Sequence, residues 1–523
     1  MSLMQAISES PVVPSRDSSR SLRPAILTGA VLCIWLTVVI VATASHEFWR
    51  DEVRALSLVR AASSPLDLYQ LTEYDGHPVL WYLLLYLGTS VVDTPLVLPV
   101  TSTVVAFAAV TLLMIAAPFP FWFRCLVIFG GLPLYEYSVM ARNYGISMLL
   151  MFTAAVLYRK RTTHPWSLAF ALALLANTNV HSAMLACIVA GIWGWDTAVD
   201  QTAGALPKGF SRYLPLAGVL AGVYVCLAFA APRETAILET LQSTANATGT
   251  GHQILNAVLR PDDTFPELLP GWLPSKAAVL LLYGAIFGLW WRPNLLLAAL
   301  VAQTAFGVFF RVAYSGWYRH QGLYLVFLVF LYWLFNESTS PRTLRGAGRL
   351  LFRGGLAAVV VLIVSDVARA PRFIRADLAG ERSASRAFGE FLNGSGTYRD
   401  AVLVPEPGFI LEALPYYAGN AVYLPRESRF GKTVSWANSR RTLSLSELLS
   451  AARELRRRSD AAVLIVLSSL DTDLARGGKK KYLYGETFSW SDAEAREFQD
   501  STTIVGEFRA FDGDESYRVF ALR

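Results

Sequence analysis

The sequence predicts a polytopic α-helical membrane protein that carries a C-terminal α/β domain. Of the 523 residues, 54% are hydrophobic and only 16% are charged, and the mean hydropathy is +0.40. Soluble domains rarely combine these values. Apolar runs recur from Pro24 to Arg369, and a crossing needs about 20 such residues, whereas residues 371–523 are charged and mixed. We therefore expect partners in the membrane and no nucleic acid.

About 11 full spans are predicted, together with membrane-dipping helices. The predicted spans are 24–44, 96–117, 120–138, 143–158, 166–180, 182–198, 213–231, 277–291, 295–312, 320–335 and 354–369. The segment Pro78–Val92 is short for a crossing, so we expect it to dip into the membrane and return to the same side.

Basic residues set the predicted orientation, because short cytoplasmic loops carry the excess of lysine and arginine. Arg16, Arg20 and Arg23 place residues 1–23 in the cytoplasm as an N-terminal tail. A cleaved signal peptide is rejected, since the first apolar run is longer than a usual signal core. Further basic residues then fall on the cytoplasmic side, namely Arg124, Arg159, Lys160, Arg161, Lys208, Arg212, Arg292, Arg342, Arg345, Arg349 and Arg353. The first external loop is residues 45–93, and residues 371–523 are extracytoplasmic.

The C-terminal segment alternates between strand and helix patterns. Predicted strands are 401–404, 421–424, 461–467, 503–508 and 517–522, and predicted helices are 383–393, 445–458 and 492–499. This alternation predicts a small α/β domain. The four cysteines all lie in apolar runs, which argues against a disulfide framework or a thiolate metal site.

Many ionisable residues fall on the predicted external side, where groups near hydrocarbon usually face a wet cavity. They are Asp51, Glu52, Arg54, Asp75, His77, Glu136, Arg142, His181, Arg311, Arg319 and His320. Taken singly, any arginine or histidine among them is equally well explained as an interfacial anchor with a snorkelling side chain. Taken together, they predict one outward-facing cavity.

Four short motifs carry a resemblance to a known family. They are Trp49–Arg54 (WRDEVR), Tyr74–Tyr82 (YDGHPVLWY), Tyr137–Tyr144 (YSVMARNY) and Trp317–His320 (WYRH). In this layout, residues 24–370 resemble the GT-C superfamily of integral-membrane glycosyltransferases, and are most similar to its bacterial protein-mannosyltransferase-like and aminoarabinose-transferase-like enzymes. The chain departs from the family at Val79, where relatives often have a second proline, and at Met140, where they often place an acid.

The resemblance implies a polyprenyl-phosphate-sugar donor and a catalytic acid in the first external loop. The candidate catalytic residues are Asp51 and Glu52, and candidates for a second acid are Glu136 and Asp75. Arginine forks match phosphate oxygens, so the donor phosphate is assigned to Arg319, Arg142, Arg54 and His320. Candidates for orienting the substrate are His77, His181 and Tyr144. No cofactor is required, and no tight acidic cluster demands a divalent metal.

Asp51 is expected to accept the proton of an acceptor hydroxyl that displaces the donor phosphate with inversion. Desolvation at the membrane rim can raise the pKa of Asp51, and the positive charge of a nearby Arg54 would oppose that rise. The structural alternative is an ordinary ion pair between Asp51 and Arg54, three residues apart on a helix.

The predicted function is a glycosyltransferase of the inner (cytoplasmic) membrane, with an envelope lipid, glycan or protein as acceptor. The alternative is a polytopic transporter or lipid-linked glycan flippase, which predicts inverted repeats and a site at the midplane of the membrane. A glycan polymerase or ligase of another fold would use external arginines without needing Asp51.

Overall fold

The computed structural model describes residues 18–72, 75–202, 209–230, 249–313, 316–339, 344–436, 439–468, 474, 476–482, 485–511 and 515–523. Arg16, Lys208 and Arg342, which contribute to the predicted orientation, lie outside these residues.

The N-terminal part of the chain is built from helices. They are α1 (Ser18–Ser45), α2 (Arg50–Ala61), α3 (Pro65–Thr72), α4 (Leu80–Val91), α5 (Val97–Ala116), α6 (Phe121–Ile128), α7 (Tyr144–Tyr158), α8 (Pro165–Ala176), α9 (Val180–Thr202), α10 (Leu214–Ala230), α11 (Thr250–Leu259), α12 (Pro261–Thr264), α13 (Ser275–Phe287), α14 (Pro293–Val312), α15 (Tyr318–Ser338) and α16 (Gly346–Leu378). A π-helical turn (Leu132–Glu136) lies between α6 and α7, and a 3₁₀ turn (Phe210–Tyr213) precedes α10.

Among the described residues, six helices are long and apolar enough to cross a membrane. They are Pro24–Ser45, Val97–Ala116, Val180–Asp200, Phe210–Phe229, Pro293–Val312 and Gly346–Leu378. Shorter apolar helices are Leu80–Val91, Tyr144–Tyr158, Pro165–Ala176 and Ser275–Phe287. The prediction of a helical, membrane-embedded protein is confirmed, whereas the predicted count of 11 full spans is not.

The predicted span 120–138 is interrupted. It forms α6, then a break, then the π-helical turn that contains Pro133. Proline removes a backbone donor and clashes with the preceding turn, so a regular helix cannot run through it. Gly131 lies directly against α15, because a Cβ there would collide with the hydroxyl of Tyr318. The break therefore brings the segment that follows α6 close to the start of α15.

Helix α15 is the centre of the bundle. Every residue from His320 to Phe335 is buried. A helix that is apolar on all sides must be surrounded by protein or lipid, and here α7, α9, α14 and α16 pack around it. The first turn of α15, which carries Arg319 and His320, is consequently held in a fixed position.

The C-terminal part forms an α/β domain with α17 (Ser385–Gly394), α18 (Leu445–Arg458) and α19 (Asp492–Ser501). Its strands are β1 (Val402–Glu406), β2 (Tyr423–Leu424), β3 (Arg429–Phe430), β4 (Thr442–Ser444), β5 (Val463–Ser468), β6 (Gly478–Lys481), β7 (Thr487–Trp490), β8 (Thr502–Phe508) and β9 (Tyr517–Leu522). One sheet has the order β1-β5-β9-β8, with β1 and β5 parallel and the other pairs antiparallel. A second sheet has the order β4-β7-β6.

The α/β domain rests on the start of α2. The hydroxyl of Tyr417 accepts a hydrogen bond from the backbone N–H of Phe48 at 2.7 Å, and Glu515 accepts one from the backbone N–H of Arg50 at 2.7 Å. The backbone N–H of Ser383 donates to Glu47 at 2.9 Å. These contacts position the segment that carries Asp51.

Candidate active site

Asp51 lies on the first turn of α2 and faces two arginines from distant parts of the chain. Nη1 of Arg142 donates a hydrogen bond to Oδ2 of Asp51 at 2.7 Å. Nη2 of Arg319 lies 4.0 Å from the same oxygen. The side chain of Asp51 remains 30% exposed. The structure thus brings together a carboxylate that is open to solvent and two guanidinium groups, which come from the segment before α7 and the first turn of α15.

The indole of Trp49 organises these arginines. The guanidinium of Arg319 lies 4.6 Å from the ring centroid, that of Arg142 lies 5.6 Å away, and that of Arg50 lies 5.8 Å away. A tryptophan face attracts cations through its quadrupole, and this indole is almost fully buried. From the sequence, Trp49 could stack against a sugar or a prenyl chain, but an interfacial position was favoured because tryptophan is common at membrane interfaces whatever its function.

The arginines lower the pKa of Asp51. Burial acts to raise the pKa, but the positive charges of Arg142, Arg50 and Arg319 together outweigh it. Desolvation raises the pKa as expected, but the opposing charge comes from Arg142, Arg50 and Arg319 instead of Arg54, and it lowers the pKa overall. Asp51 is ionised throughout the neutral range.

A group of aromatic and histidine side chains adjoins the arginines. The rings of His181 and His320 lie 5.1 Å apart, and the ring of Tyr144 lies 5.5 Å from that of His320. Burial is the main reason that the pKa of His77 is lowered, so His77 is neutral at pH 7. Neutral imidazoles can both donate and accept hydrogen bonds, which suits groups that orient a polar substrate.

Arg54 and Asp75 are engaged elsewhere. Arg54 donates through Nε to Asp75 at 2.5 Å and through Nη1 to Glu412 at 2.6 Å. Its Nη2 donates to the carbonyl of Val434 at 3.2 Å, and the hydroxyl of Tyr82 donates to Asp75. The alternative of an Asp51–Arg54 ion pair is thus not what the structure contains. Two nitrogens of the Arg54 guanidinium, Nη1 and Nη2, tie α2 to the α/β domain, and Nε ties it to Asp75 in the loop that follows α3.

Glu52 belongs to a buried network that sequence analysis did not find. Its Oε1 accepts from the backbone N–H of Ala141 at 2.5 Å, and its Oε2 contacts His46 at 2.9 Å. The other ring nitrogen of His46 lies 2.9 Å from Asp377, 331 residues away in the sequence. Glu136, which with Asp75 is a candidate for the second acid, is buried in the π-helical turn. Glu52 therefore uses both of its oxygens within the protein, while Asp51 keeps an open face.

The two carboxylates hold His46 in its charged form. Both ring nitrogens face an acceptor, which only the imidazolium can satisfy by donating twice. Burial acts to lower the pKa of His46, but Glu52 and Asp377 outweigh it and raise the pKa from 6.5 to about 10. A histidine at this position, with no metal-motif spacing around it, gave no signal in the sequence.

This network makes the stability of the protein depend on pH. The folded-state pKa of His46 is raised, so its contribution is complete below pH 6.5 and is lost as the pH rises through about 10. We expect the thermal midpoint of the detergent-solubilised protein to fall between neutral pH and pH 10, and this fall to be smaller in His46→Gln. The matched control is His164→Gln, on the protein surface. An unchanged pH dependence in His46→Gln would contradict the assignment.

Neither a metal cluster nor a disulfide is found within the described residues. No group of three or more histidine, cysteine or acidic side chains there is arranged to hold a metal ion. The thiols of Cys33, Cys125, Cys187 and Cys226 are all free.

No family model and no curated protein sequence matches this chain. Among solved structures, the chain is similar to ArnT from Cupriavidus metallidurans bound to undecaprenyl phosphate. The TM-score is 0.46 and the identity is 13%, and the match covers 95% of this chain and 97% of that chain. A likeness at this level concerns the course of the chain and carries no conclusion about the site.

Proposed function

We propose that this protein is a membrane glycosyltransferase that moves a sugar from a polyprenyl-phosphate donor to a hydroxyl group of an envelope lipid, glycan or protein. The observation that carries the proposal is the Asp51 carboxylate, which is partly open and held between Arg142 and Arg319. The supporting context is its position just beyond Ser45, where the first apolar helix ends. A polyprenyl-phosphate donor places its phosphate at the same level while its chain stays in the lipid.

In the proposed reaction, the acceptor oxygen attacks the anomeric carbon while the bond between that carbon and the phosphate oxygen breaks. Asp51 takes the proton of the acceptor hydroxyl, and polyprenyl phosphate leaves with the bonding electron pair. The phosphate is a good leaving group, so no strong acid is needed. Arg142 and Arg319 bind the phosphate with their planar forks and stabilise the charge that develops on it. Two guanidinium groups can supply this charge, so the reaction does not require a divalent ion.

A low pKa would make Asp51 a weak base in the free enzyme. Binding of the donor raises this pKa. When an anionic phosphate shares Arg142 and Arg319, the positive potential at Asp51 falls and its pKa rises. The base therefore gains strength when the donor is in place. This order suits a transferase, because a donor is present before the acceptor is activated.

The remaining candidates receive different roles in this proposal. Four side chains adjoin the arginines and orient the sugar or the phosphate, namely His320, His77, His181 and Tyr144.

Other candidates hold α2 in place. Glu52 positions α2 through His46 and Ala141, and Arg54 anchors α2 to Glu412. Asp75, bound to Arg54 and Tyr82, supports that anchor. Glu136 stays a candidate for a second acid.

The proposed setting is the inner membrane of a bacterial envelope. Residues 1–23 form a cytoplasmic tail, and residues 24–370 form the transmembrane body. Residues 371–523 lie outside and cover the catalytic loop 45–93. The contacts of Tyr417 and Glu515 with the start of α2 support the covering role.

The test is donor consumption by the purified protein in nanodiscs, with a panel of polyprenyl-phosphate sugars and an envelope extract as acceptor. We expect one donor to be converted to free polyprenyl phosphate with its sugar recovered on an acceptor. Movement of a fluorescent lipid-linked glycan across proteoliposomes, without consumption of any donor, would instead support the flippase and overturn the proposal.

A further inference from the structure

A polar cavity lies at the end of the helix bundle opposite the candidate site. Three helices begin beside the candidate site and end at this cavity: α7 starts at Tyr144, α9 starts beside His181, and α15 starts beside Arg319. Their far ends carry Tyr158, Asp200 and Ser338, which line the cavity. At 1.5 Å per residue, helices of this length separate the two sites by roughly 20–30 Å. The cavity has a volume of about 360 Å³, enough for a small ligand or a headgroup.

Asp196 is the fixed centre of this cavity. Its Oδ1 accepts a hydrogen bond from Nδ2 of Asn294 at 2.7 Å, and its Oδ2 accepts one from the hydroxyl of Tyr158 at 3.0 Å. Nη2 of Arg161 and Nη2 of Arg292 each lie 3.7 Å from Oδ2. Asp196 is therefore satisfied by neutral donors and holds two guanidinium groups by charge alone.

The guanidinium groups keep donors for another partner. A separation of 3.7 Å is too long for a hydrogen bond, so neither Arg161 nor Arg292 uses a donor on Asp196. Arg161 donates to Asp200 at 3.1 Å and to the backbone carbonyl of Tyr158 at 3.5 Å, and its Nε is buried without a hydrogen-bond partner among the described residues. Each arginine offers five N–H groups, and both side chains line the cavity, as does Arg159.

Exposed tryptophans lie in two of the segments that form the cavity. Trp195 lines it and is 49% exposed, and Trp290 and Trp291, which precede Arg292, are 51% and 54% exposed. Tryptophan gathers at the level of lipid headgroups, where one side of the ring is wet and the other is apolar. The cavity therefore opens where phospholipid headgroups lie.

The charges that line the cavity balance. Arg159, Arg161 and Arg292 face Asp196, Asp200 and Glu337, so the lining has three formal charges of each sign. Asp196 is already satisfied, whereas the side chain of Asp200 is 33% exposed and Glu337 lies on the exposed surface of α15. Such a lining suits a ligand that is itself zwitterionic, with its phosphate on the arginines and its ammonium group on the remaining acids.

We propose that this cavity binds the phosphoethanolamine headgroup of a membrane phospholipid. The site is separate from Asp51, and the proposal does not depend on the reaction proposed there. Binding of this lipid ties the ends of α7, α9, α14 and α15 together and stabilises the folded bundle, because the lipid binds the folded state alone.

The test uses the delipidated wild-type protein in detergent with phosphatidylethanolamine, phosphatidylcholine or phosphatidylglycerol of identical acyl chains. We expect native mass spectrometry to retain one phosphatidylethanolamine at concentrations about 10-fold below those needed for the other two lipids. We also expect that lipid to raise the thermal midpoint most. Equal retention of phosphatidylcholine, whose headgroup has no N–H donor, would overturn the proposal. Preferential retention of phosphatidylglycerol would also overturn it, because it would indicate an anion site.

Variants test whether the preference for phosphatidylethanolamine comes from this cavity. The double variant Arg161→Gln and Arg292→Gln should lose the preference, while Lys160→Gln, an exposed neighbour that does not line the cavity, should keep it. Soluble phosphoethanolamine distinguishes the source of the ligand. A thermal shift with the soluble headgroup equal to that with the lipid would show a site for a free metabolite and would overturn the lipid assignment. If the double variant does not fold, the comparison of the three lipids on the wild-type protein still tests whether phosphatidylethanolamine is preferred.

Discussion

Replacing Asp51 by asparagine should reduce sugar transfer by about 10²- to 10⁴-fold, the usual range for loss of a general base. The amide has nearly the shape of the carboxylate. Its oxygen can still accept the hydrogen bond that Arg142 donates to Asp51 at 2.7 Å in the wild-type protein. It cannot take a proton from the acceptor hydroxyl. We therefore expect donor binding to persist, and to strengthen slightly because a negative charge beside the donor phosphate is removed. Initial rates and equilibrium donor binding measure the two effects separately.

Asp93→Asn is the matched control for this variant. Asp93 lies in the same predicted loop, its side chain is 77% exposed, and its ion pair with Arg60 lies away from Trp49. The control should transfer sugar at the wild-type rate. Transfer by Asp51→Asn at the wild-type rate, with an unchanged thermal midpoint, would remove Asp51 from the mechanism and favour an enzyme that uses the arginines of the site alone.

Arg142→Gln should weaken donor binding by about 10- to 100-fold, since a charge-assisted hydrogen bond contributes about 1.5–3 kcal/mol. It should also change the pH dependence. Arg142 is the strongest of the cations that lower the pKa of Asp51, so its removal raises that pKa. The acid limb of kcat/KM, which reports the free enzyme, should consequently move to higher pH than in the wild type. Donor titrations and pH profiles of kcat/KM provide the measurement.

Arg142→Lys separates the two parts of this effect. Lysine keeps the positive charge but lacks the planar fork that matches phosphate oxygens. Donor binding should therefore weaken while the acid limb stays near its wild-type position. Arg60→Gln, which replaces an exposed arginine on α2, the helix that carries Asp51, should change neither quantity. If Arg142→Gln binds the donor as the wild type does, the phosphate lies elsewhere and Arg142 serves only to hold Asp51.

Local hydropathy patterns were sufficient to predict the position of several long helices. The predicted segments 96–117 and 295–312 appear as Val97–Ala116 and Pro293–Val312, because a long apolar run carries its own signal of length and hydropathy. The pattern failed at 120–138, where a proline and the close approach of α15 to Gly131 divide the segment. Several other predicted spans form helices that are shorter than a crossing needs, so hydropathy alone did not give their number.

The candidate site was predicted only in part. Asp51, Arg142 and Arg319 were candidates because all three fall on one predicted side of the membrane, and the structure brings them together. Arg54 was assigned to the same phosphate but pairs with Glu412, 358 residues away. Glu52 was placed beside Asp51 as catalytic, but a helix turns by 100° per residue, so neighbours in sequence face different surroundings. Nothing in the sequence marked His46.

Composition and hydropathy were enough to predict a membrane protein, the position of its long apolar helices, and the polar residues that follow the first of these helices. These properties depend on composition and on neighbours along the chain. The packing of the helices was needed to show which arginines face Asp51, that the pKa of Asp51 is lowered, and that His46 bridges Glu52 and Asp377. Each of these outcomes depends on the distance between charges far apart in sequence. The energy of a pair changes steeply with distance and burial, so the choice among many available partners is made only when the helices pack.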